Sequence, residues 1–276
     1  MKKILLPTDF SDVANNAFVH ALHLAKALES EIVLLHTFEF PVIDNQFYTE
    51  DYMKLFESIE LAQSDNFKKE IENMNKIIKA ENCEAVKISH SLKDGDLLMN
   101  INEVCSNQNI DLIIMGTSGA EGWKQFFLGT NTTDVISQST IPVISIPKEV
   151  PYSVYKNIAF TTRFREKDKI ALQKVIAIAK LLKVKVKCLY VQTENTDNSA
   201  KIYNDWKQLF ANKPVQFFII PDNDVDNTIA DFIISQEIDL LAMLTYKRSF
   251  FEALFNKSLT QKIAFRSDIP VLALHE

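Results

Sequence analysis

The sequence predicts an α/β protein made of two tandem, open, mainly parallel five-stranded sheets with helices on both faces. Short apolar runs alternate with segments whose apolar residues recur at helical spacing, which is typical of β-α-β units and of a parallel sheet covered on both sides. Residues 101–147 align with residues 229–275 without a gap, so the chain contains an internal repeat. The length of 276 residues accommodates two copies of a domain of about 100–150 residues.

The elements of the first copy are predicted from apolar runs, for strands, and from helical spacing, for helices. The strands are predicted at 3–7, 31–38, 84–90, 111–116 and 142–146, with a loop at 40–45. Helices are predicted within 14–28, 52–78 and 97–105, and a short helix precedes the last strand. A break near residues 63–65 is an alternative for the long second helix. Parallel neighbours of this kind require right-handed crossovers.

The second copy repeats this order in a shorter form. Its strands are predicted at 157–161, 184–191, 215–220, 238–244 and 270–274, and its helices at 170–182, 199–211, 225–234 and 259–265. Residues 148–155 are predicted to be a linker, so the predicted domains are 1–148 and 155–276.

Composition limits the class of protein. The chain is 47% hydrophobic and 24% charged, with 5 Gly and 8 Pro, as expected for a globular protein with a sizeable core. Its longest apolar runs are far shorter than the roughly 18–20 residues of a membrane span. Pro7 and Asp9 interrupt the N-terminal apolar run, so no export signal is expected. Cys83, Cys105 and Cys188 are unclustered and are expected to be reduced, which predicts a cytoplasmic location. The net charge of −6 argues against binding of nucleic acid.

The most distinctive polar segments follow the first and the fourth predicted strands. Ligands of open parallel sheets bind beyond the carboxyl ends of the strands. Pro7-Thr8-Asp9 follows the first strand, and the glycine-rich residues 116–132 connect the fourth strand to a helix. Glycine allows close approach to the backbone, and the free N–H groups at a helix start favour an anion. Two interpretations stay open here: a phosphate-binding loop, or a flexible loop that ends in Thr130 as a helix cap.

The spacing of three of these glycines resembles a family signature. The pattern Gly116-x2-Gly119-x9-Gly129-Thr130 is similar to the nucleotide-binding signature of the universal stress protein family, G-x2-G-x9-G-[ST]. Also similar to that family are Pro7-Thr8-Asp9, Leu34-Leu35-His36-Thr37, the fourth strand Asp111–Gly116 and Ile141-Pro142-Val143. The resemblance covers both copies and implies a tandem universal stress protein with a Rossmann-like, adenine nucleotide alpha-hydrolase-like fold. It also implies that the last strands of the two copies, 142–146 and 270–274, lie side by side and pair the two domains within one chain; a homodimer is the alternative assembly.

The resemblance also implies that the first copy binds ATP. The residues that correspond to the family's site are Pro7, Thr8 and Asp9 at the ribose and the adenine edge, Thr37 at the base, Met115 and Gly116 along the pocket, and Gly119, Gly129, Thr130, Asn131 and Thr132 at the phosphates. Lys124 is the only cation inside the loop, so a divalent ion such as Mg²⁺ is expected to share the charge of the triphosphate.

The second copy departs from this signature. The repeat places Leu244, Lys247 and Lys257 at the positions of Gly116, Gly119 and Gly129, and it places Arg163 at the position of Asp9. Side chains would then occupy positions at which a phosphate needs bare backbone. The second copy is therefore expected not to bind ATP in the family's manner. It is interpreted as a degenerate copy kept for packing, with a basic pocket for another anion as the alternative.

Three functions stay open on the sequence. An ATP-binding, stress-response or regulatory protein is favoured, because no base or nucleophile that could attack a phosphate is evident and no catalytic residue is assigned. A slow ATPase or autophosphorylating protein, with Ser118, Thr130 or Thr132 as acceptor, is the first alternative. A nucleotide-free interaction or scaffold module is the second. His20 and His23 are interpreted as a pair on a helix surface rather than as metal ligands.

Overall fold

The computed structural model describes residues 2–40, 49–117, 130–194, 200–244 and 269–275. The strands are β1 (Lys3–Pro7), β2 (Glu31–Phe38), β3 (Ile88–Asp94), β4 (Leu112–Thr117), β5 (Val143–Pro147), β6 (Asn157–Thr161), β7 (Lys185–Gln192), β8 (Val215–Pro221), β9 (Leu240–Leu244) and β10 (Val271–Leu274). The helices are α1 (Asp12–Leu28), α2 (Thr49–Ala80), α3 (Leu97–Gln108), α4 (Thr130–Gln138), α5 (Glu166–Leu182), α6 (Ala200–Leu209) and α7 (Val225–Ser235). No described helix has both the length and the apolar character that a membrane span requires.

The chain forms two compact units, Met1–Met115 and Gly116–Glu276. In the first unit the strands lie in the order β3-β2-β1-β4, and each described pair is parallel. The central strand β1 is apolar and buried from Ile4 to Pro7, because it has a neighbouring strand on each side and helices above and below. The carboxyl ends of β1, β2 and β4 therefore lie at one edge of this sheet.

Helix α1 follows β1 directly, and its ends are defined by local hydrogen bonds. Ser11 is the N-cap, and its hydroxyl oxygen accepts a hydrogen bond from the N–H of Ala14 at 3.3 Å. The helix ends at Glu29, which adopts the left-handed conformation with φ 52° and donates its N–H to the carbonyl of Ala25. The apolar face of α1 packs on the sheet, so the short turn between β1 and α1 lies at the carboxyl edge.

In the second unit the strands lie in the order β5-β10-β9-β6-β7-β8. The neighbouring pairs β10–β9, β9–β6, β6–β7 and β7–β8 are parallel. The pair β5–β10 is antiparallel, with Val271 opposite Ser145. The predicted α/β class and the mainly parallel sheets are thus confirmed. The division between the two units falls inside β4, and the predicted domain bounds of 1–148 and 155–276 stay a prediction.

The predicted start of the third strand is wrong, and the alternative of a broken second helix is not adopted. Helix α2 is continuous from Thr49 to Ala80 without a break at residues 63–65, because that stretch contains neither Pro nor Gly and its half-buried stripe continues from Phe56 to Phe67. The third strand starts at Ile88 instead of residue 84, because residues 83–86 form a turn in which the N–H of Val86 donates to the carbonyl of Cys83 at 3.0 Å. The predicted helix at 259–265 lies outside the described residues, as does most of the loop at 40–45.

The internal repeat reappears as a pair of matched hydrogen-bond patterns. In the first unit the Asp111 carboxylate accepts hydrogen bonds from the N–H groups of Lys2 at 2.5 Å and Lys3 at 3.2 Å. In the second unit the Asp239 carboxylate accepts from the N–H groups of residues 156 and 157 at 2.7 and 2.8 Å. In each unit this aspartate precedes the fourth strand of its copy and ties it to the start of the first strand.

We expect Asp111→Ala and Asp239→Ala each to lower the free energy of unfolding of the unit that contains the residue by about 1 kcal/mol, because two N–H groups lose their acceptor. Urea denaturation followed by circular dichroism measures the effect. Glu57→Ala, at an exposed position on α2, is the control and should change the stability by less than about 0.5 kcal/mol. Equal effects of all three variants would contradict a structural role for the repeated aspartates.

Candidate nucleotide-binding site

The predicted site residues of the first unit lie at the carboxyl edge of its sheet. Pro7 ends β1 and lies opposite Leu35 of β2, while the N–H of Thr8 continues the ladder by donating to the carbonyl of Leu35 at 2.8 Å. Thr37 lies near the end of β2 and is half-buried, and Met115 lies in β4 with 5% of its surface exposed. The fold thus brings these strand ends to the same edge, where ligands of open parallel sheets bind.

The turn between β1 and α1 displays the carboxylate of Asp9. Its Oδ1 accepts hydrogen bonds from the N–H and the hydroxyl of Ser11 at 3.0 and 2.6 Å, and the Thr8 hydroxyl oxygen accepts from the N–H of Phe10 at 3.0 Å. Phe10 adopts a left-handed conformation with φ 61°. Within the described part of the chain, the N–H and the Oδ2 of Asp9 make no hydrogen bond. Asp9 is exposed, so both groups can bind a ligand.

A histidine and two phenylalanines, none of which the sequence analysis singled out, pack beneath this turn. His36 of β2 has its Nδ1 2.7 Å from the carbonyl oxygen of Thr8. The His36 ring centroid lies 4.9 Å from that of Phe10 and 6.1 Å from that of Phe67 on α2, and the ring stacks on Phe67 at an interplanar angle of 16°. The signal in the sequence is a single histidine at the carboxyl end of an otherwise apolar strand.

The second unit holds the predicted residues that follow β4. The hydroxyl of Thr132 donates a hydrogen bond to the carbonyl of Gly116 at 3.2 Å, and Thr132 is 4% exposed. This bond ties the start of α4 to the end of β4, and it engages the hydroxyl proton that a phosphate would need. Thr130 and Asn131 form the first turn of α4, with Asn131 exposed. Gly119 and Gly129 lie outside the described residues.

The second copy contains the same turn, but backbone N–H groups of this turn donate hydrogen bonds to a side chain of the protein itself. Phe164 has φ 56°, and its N–H donates to the hydroxyl of Thr162 at 2.8 Å, as in the first copy. The carboxylate of Asp168, which is 1% exposed, accepts hydrogen bonds from the Thr162 hydroxyl at 2.8 Å and from the N–H groups of Arg163 and Arg165 at 2.7 and 3.2 Å. The matched position in the first copy is Ala14, so a buried anion distinguishes the two turns.

The described residues contain no group of three or more His, Cys, Asp and Glu side chains that could hold a metal ion. His23 lies 2.8 Å from the carboxylate of Glu81, whereas His20 is only 1% exposed. The interpretation of both histidines as a surface pair is therefore wrong for His20, which points into the core of the first unit because α1 packs that face on the sheet.

Comparison with known proteins connects this arrangement to a family. The model of the universal stress protein family matches residues 1–147, which is more than half of the chain. This chain belongs to the universal stress protein family. Universal stress protein MJ0531 of Methanocaldococcus jannaschii is 32% identical over 151 residues, covering 53% of this chain and 82% of that protein. Universal stress protein MJ0577 of the same organism is 28% identical over 166 residues, covering 54% of this chain and 96% of that protein.

A solved structure extends the likeness of fold to nearly the whole chain. The crystal structure of a universal stress protein from Archaeoglobus fulgidus superposes with a TM-score of 0.73 and covers 99% of this chain and 98% of its own. The sequence identity is 18%, so this match shows the fold alone. It agrees with the five strands that each copy contributes to the two units.

We expect Asp168→Ala to lower the free energy of unfolding of the second unit by about 2–4 kcal/mol, because three buried or half-buried donors lose a shared acceptor. Urea denaturation is the measurement. Asp9→Ala, which removes an exposed carboxylate from the turn of the first copy, is the control and should cost less than about 1 kcal/mol. A loss at Asp168 no larger than that at Asp9 would show that the buried carboxylate does not hold the turn.

Proposed function

We propose that this protein is an ATP-binding regulatory protein that holds the nucleotide with its N-terminal copy. The observation that carries the proposal is the turn at Asp9: at the carboxyl edge of a parallel sheet it presents an N–H and a carboxylate oxygen that make no hydrogen bond within the described residues. The glycine signature of residues 116–130 follows β4 in the same copy. Membership of the universal stress protein family supports the assignment of both segments to a nucleotide.

Each proposed contact has a chemical reason. The Asp9 carboxylate is suited to accept hydrogen bonds from the ribose hydroxyls, and the Pro7 and Met115 side chains provide apolar surface for the base. Thr37, near the end of β2, is proposed to contact the base, and Pro7 and Thr8 are proposed to act with Asp9 at the ribose and the adenine edge. Gly116, Gly119 and Gly129 have no side chain and are proposed to let the phosphates approach their backbone N–H groups, and the start of α4 at Thr130 and Asn131 adds the favourable end of a helix dipole. Thr132 is proposed to position the backbone near the phosphates through its hydrogen bond to the carbonyl of Gly116.

The second copy is proposed to be a scaffold that does not bind ATP in this manner. Arg163 replaces the ribose-binding carboxylate, and the Asp168 carboxylate already occupies the amide donors of the turn. A nucleotide that bound there would have to displace the buried Asp168 carboxylate from these N–H groups. The negative charge of that carboxylate would then repel the nucleotide. We propose further that the two domains pair within the chain, and the antiparallel β5–β10 pair supports this. We also propose that the chain can form a homodimer and that the protein acts in the cytoplasm.

A divalent cation is proposed to accompany the nucleotide. The first copy contains no arginine, so few side chains can neutralise a triphosphate, and Mg²⁺ binds through phosphate oxygens with few protein ligands. Titration of the protein with ATP in the presence of Mg²⁺ or of EDTA tests this proposal. Unchanged affinity in EDTA would contradict it.

We expect the purified protein to bind ATP and Gly129→Lys, which copies Lys257 of the second half, to weaken binding by about two orders of magnitude, or ~3 kcal/mol. Isothermal titration calorimetry measures the affinity, and mass spectrometry of the denatured protein detects nucleotide that copurifies. Gly122→Lys is the matched control, because it adds the same charge to the same loop outside the signature.

The outcomes separate the candidate functions. Retained binding in Gly129→Lys, or an equal loss in Gly122→Lys, would show that the glycine signature does not hold the phosphates. Absence of binding in the unmodified protein would favour a nucleotide-free interaction module. Release of phosphate from labelled ATP, or transfer of the label to the chain, would favour a slow ATPase or an autophosphorylating protein.

A further inference from the structure

We infer that His36 is a positioning residue for nucleotide binding: its imidazole N–H holds the carbonyl of Thr8 and thereby fixes the turn that presents Asp9. The inference rests on the proposed ATP site. It concerns a residue that lies under the turn, at the end of β2, and that acts on the ligand through the backbone of its neighbours.

The hydrogen bond defines the protonation of the ring. The carbonyl oxygen of Thr8 can only accept, so the Nδ1 of His36, at 2.7 Å, must carry the hydrogen. Both the neutral ring in this tautomer and the charged ring have a hydrogen on Nδ1. In either form, the Nδ1–H of the ring is the group that donates to the carbonyl of Thr8.

The backbone of Thr8 is bonded to β2 at both its polar groups. Its N–H donates to the carbonyl of Leu35 at 2.8 Å, and its carbonyl accepts from His36. The next residue but one, Phe10, is in the left-handed region, which is unfavourable for a non-glycine residue and persists only where neighbouring contacts impose it. The His36 ring packs against that phenylalanine at a centroid distance of 4.9 Å. His36 thus contacts the residues on each side of Asp9.

The second copy shows the alternative way of holding the same turn. Tyr190 is at the position of His36, and its ring packs against Phe164 at a centroid distance of 4.8 Å. A phenol has no N–H at the near edge of its ring, so it cannot replace Nδ1. The turn there is held from its amide side by Asp168, which takes the N–H of Arg163. His36 holds the first turn from its carbonyl side, and among the described residues the N–H of Asp9 has no acceptor, so it can donate to a ligand.

Two substitutions separate the hydrogen bond from the ring packing. His36→Asn keeps an N–H on an atom bonded to Cγ, as Nδ1 is, but removes the ring. His36→Phe keeps a ring between Phe10 and Phe67 but removes the donor. We expect ATP affinity to fall about tenfold in His36→Phe and to stay within about threefold of the unmodified protein in His36→Asn. If His36 only stabilised the fold, the ATP affinity of each variant would follow its urea midpoint and would not depend on whether the new side chain carries the N–H group.

A second measurement tests the turn without nucleotide. Hydrogen exchange of the Phe10 and Ser11 N–H groups, resolved by NMR in the ligand-free full-length protein, reports how firmly the turn is held. We expect faster exchange of both amides in His36→Phe than in His36→Asn, whereas the matched substitution Tyr190→Phe should leave them unchanged.

The two measurements distinguish failure of the inference from failure of the proposed function. Faster exchange together with weaker ATP binding in His36→Phe, both restored in His36→Asn, supports the inference. Unchanged exchange in His36→Phe overturns it, as does faster exchange with unchanged affinity. If the unmodified protein binds no ATP while exchange responds as expected, the proposed function fails and the role of His36 in nucleotide binding fails with it, although its hold on the turn stands.

Discussion

The turn from the first strand of each copy into its first helix is the constraint on which the candidate site depends. A parallel strand that feeds a helix lying on its sheet must reverse within a few residues, and both copies do so with a phenylalanine at positive φ, Phe10 at 61° and Phe164 at 56°. A threonine hydroxyl accepts the N–H of that phenylalanine in both turns. The backbone path is the same, so what the two turns can bind is decided by the partners of their remaining polar groups.

Those partners differ at one buried position. Asp168 lies under the second turn and accepts its amide hydrogens, whereas Ala14 at the matched position of the first copy offers no acceptor. A carboxylate that is 1% exposed is stable only when hydrogen bonds replace its water, and the three donors of the second turn do so. The charge also contributes to the raised pKa of the Cys188 thiol, after the larger effect of burial. The second turn is therefore stabilised by the same amides that a ligand would need.

The fold could be predicted from the sequence where apolar runs are long and buried on both faces, and β1, β2 and β6 lie at the predicted residues. The start of β3 could not, because an edge strand is half-buried and polar residues such as Ser89 interrupt its apolar pattern. Asp9 could be predicted from its place after a strand and from the family resemblance. Asp168 could not, because an acid in the first turn of a helix is ordinary near the positive end of the dipole, and only the folded turn shows its burial.

The charge distribution bears on how a triphosphate is held. The copy proposed to bind ATP has an excess of acidic residues and no arginine, whereas all arginines of the chain lie in the second copy. Charge at a distance therefore opposes binding of an anion by the first copy, although solvent and salt screen it within about 10 Å. On the proposed binding mode, affinity would therefore come from short-range interactions with the phosphates, namely hydrogen bonds from backbone N–H groups and the charge of a bound cation. Backbone donors bind well only when they are held in position, so the proposed binding mode gives a role to the residues that hold the turn and the helix start, His36 and Thr132, beside those proposed to touch the nucleotide.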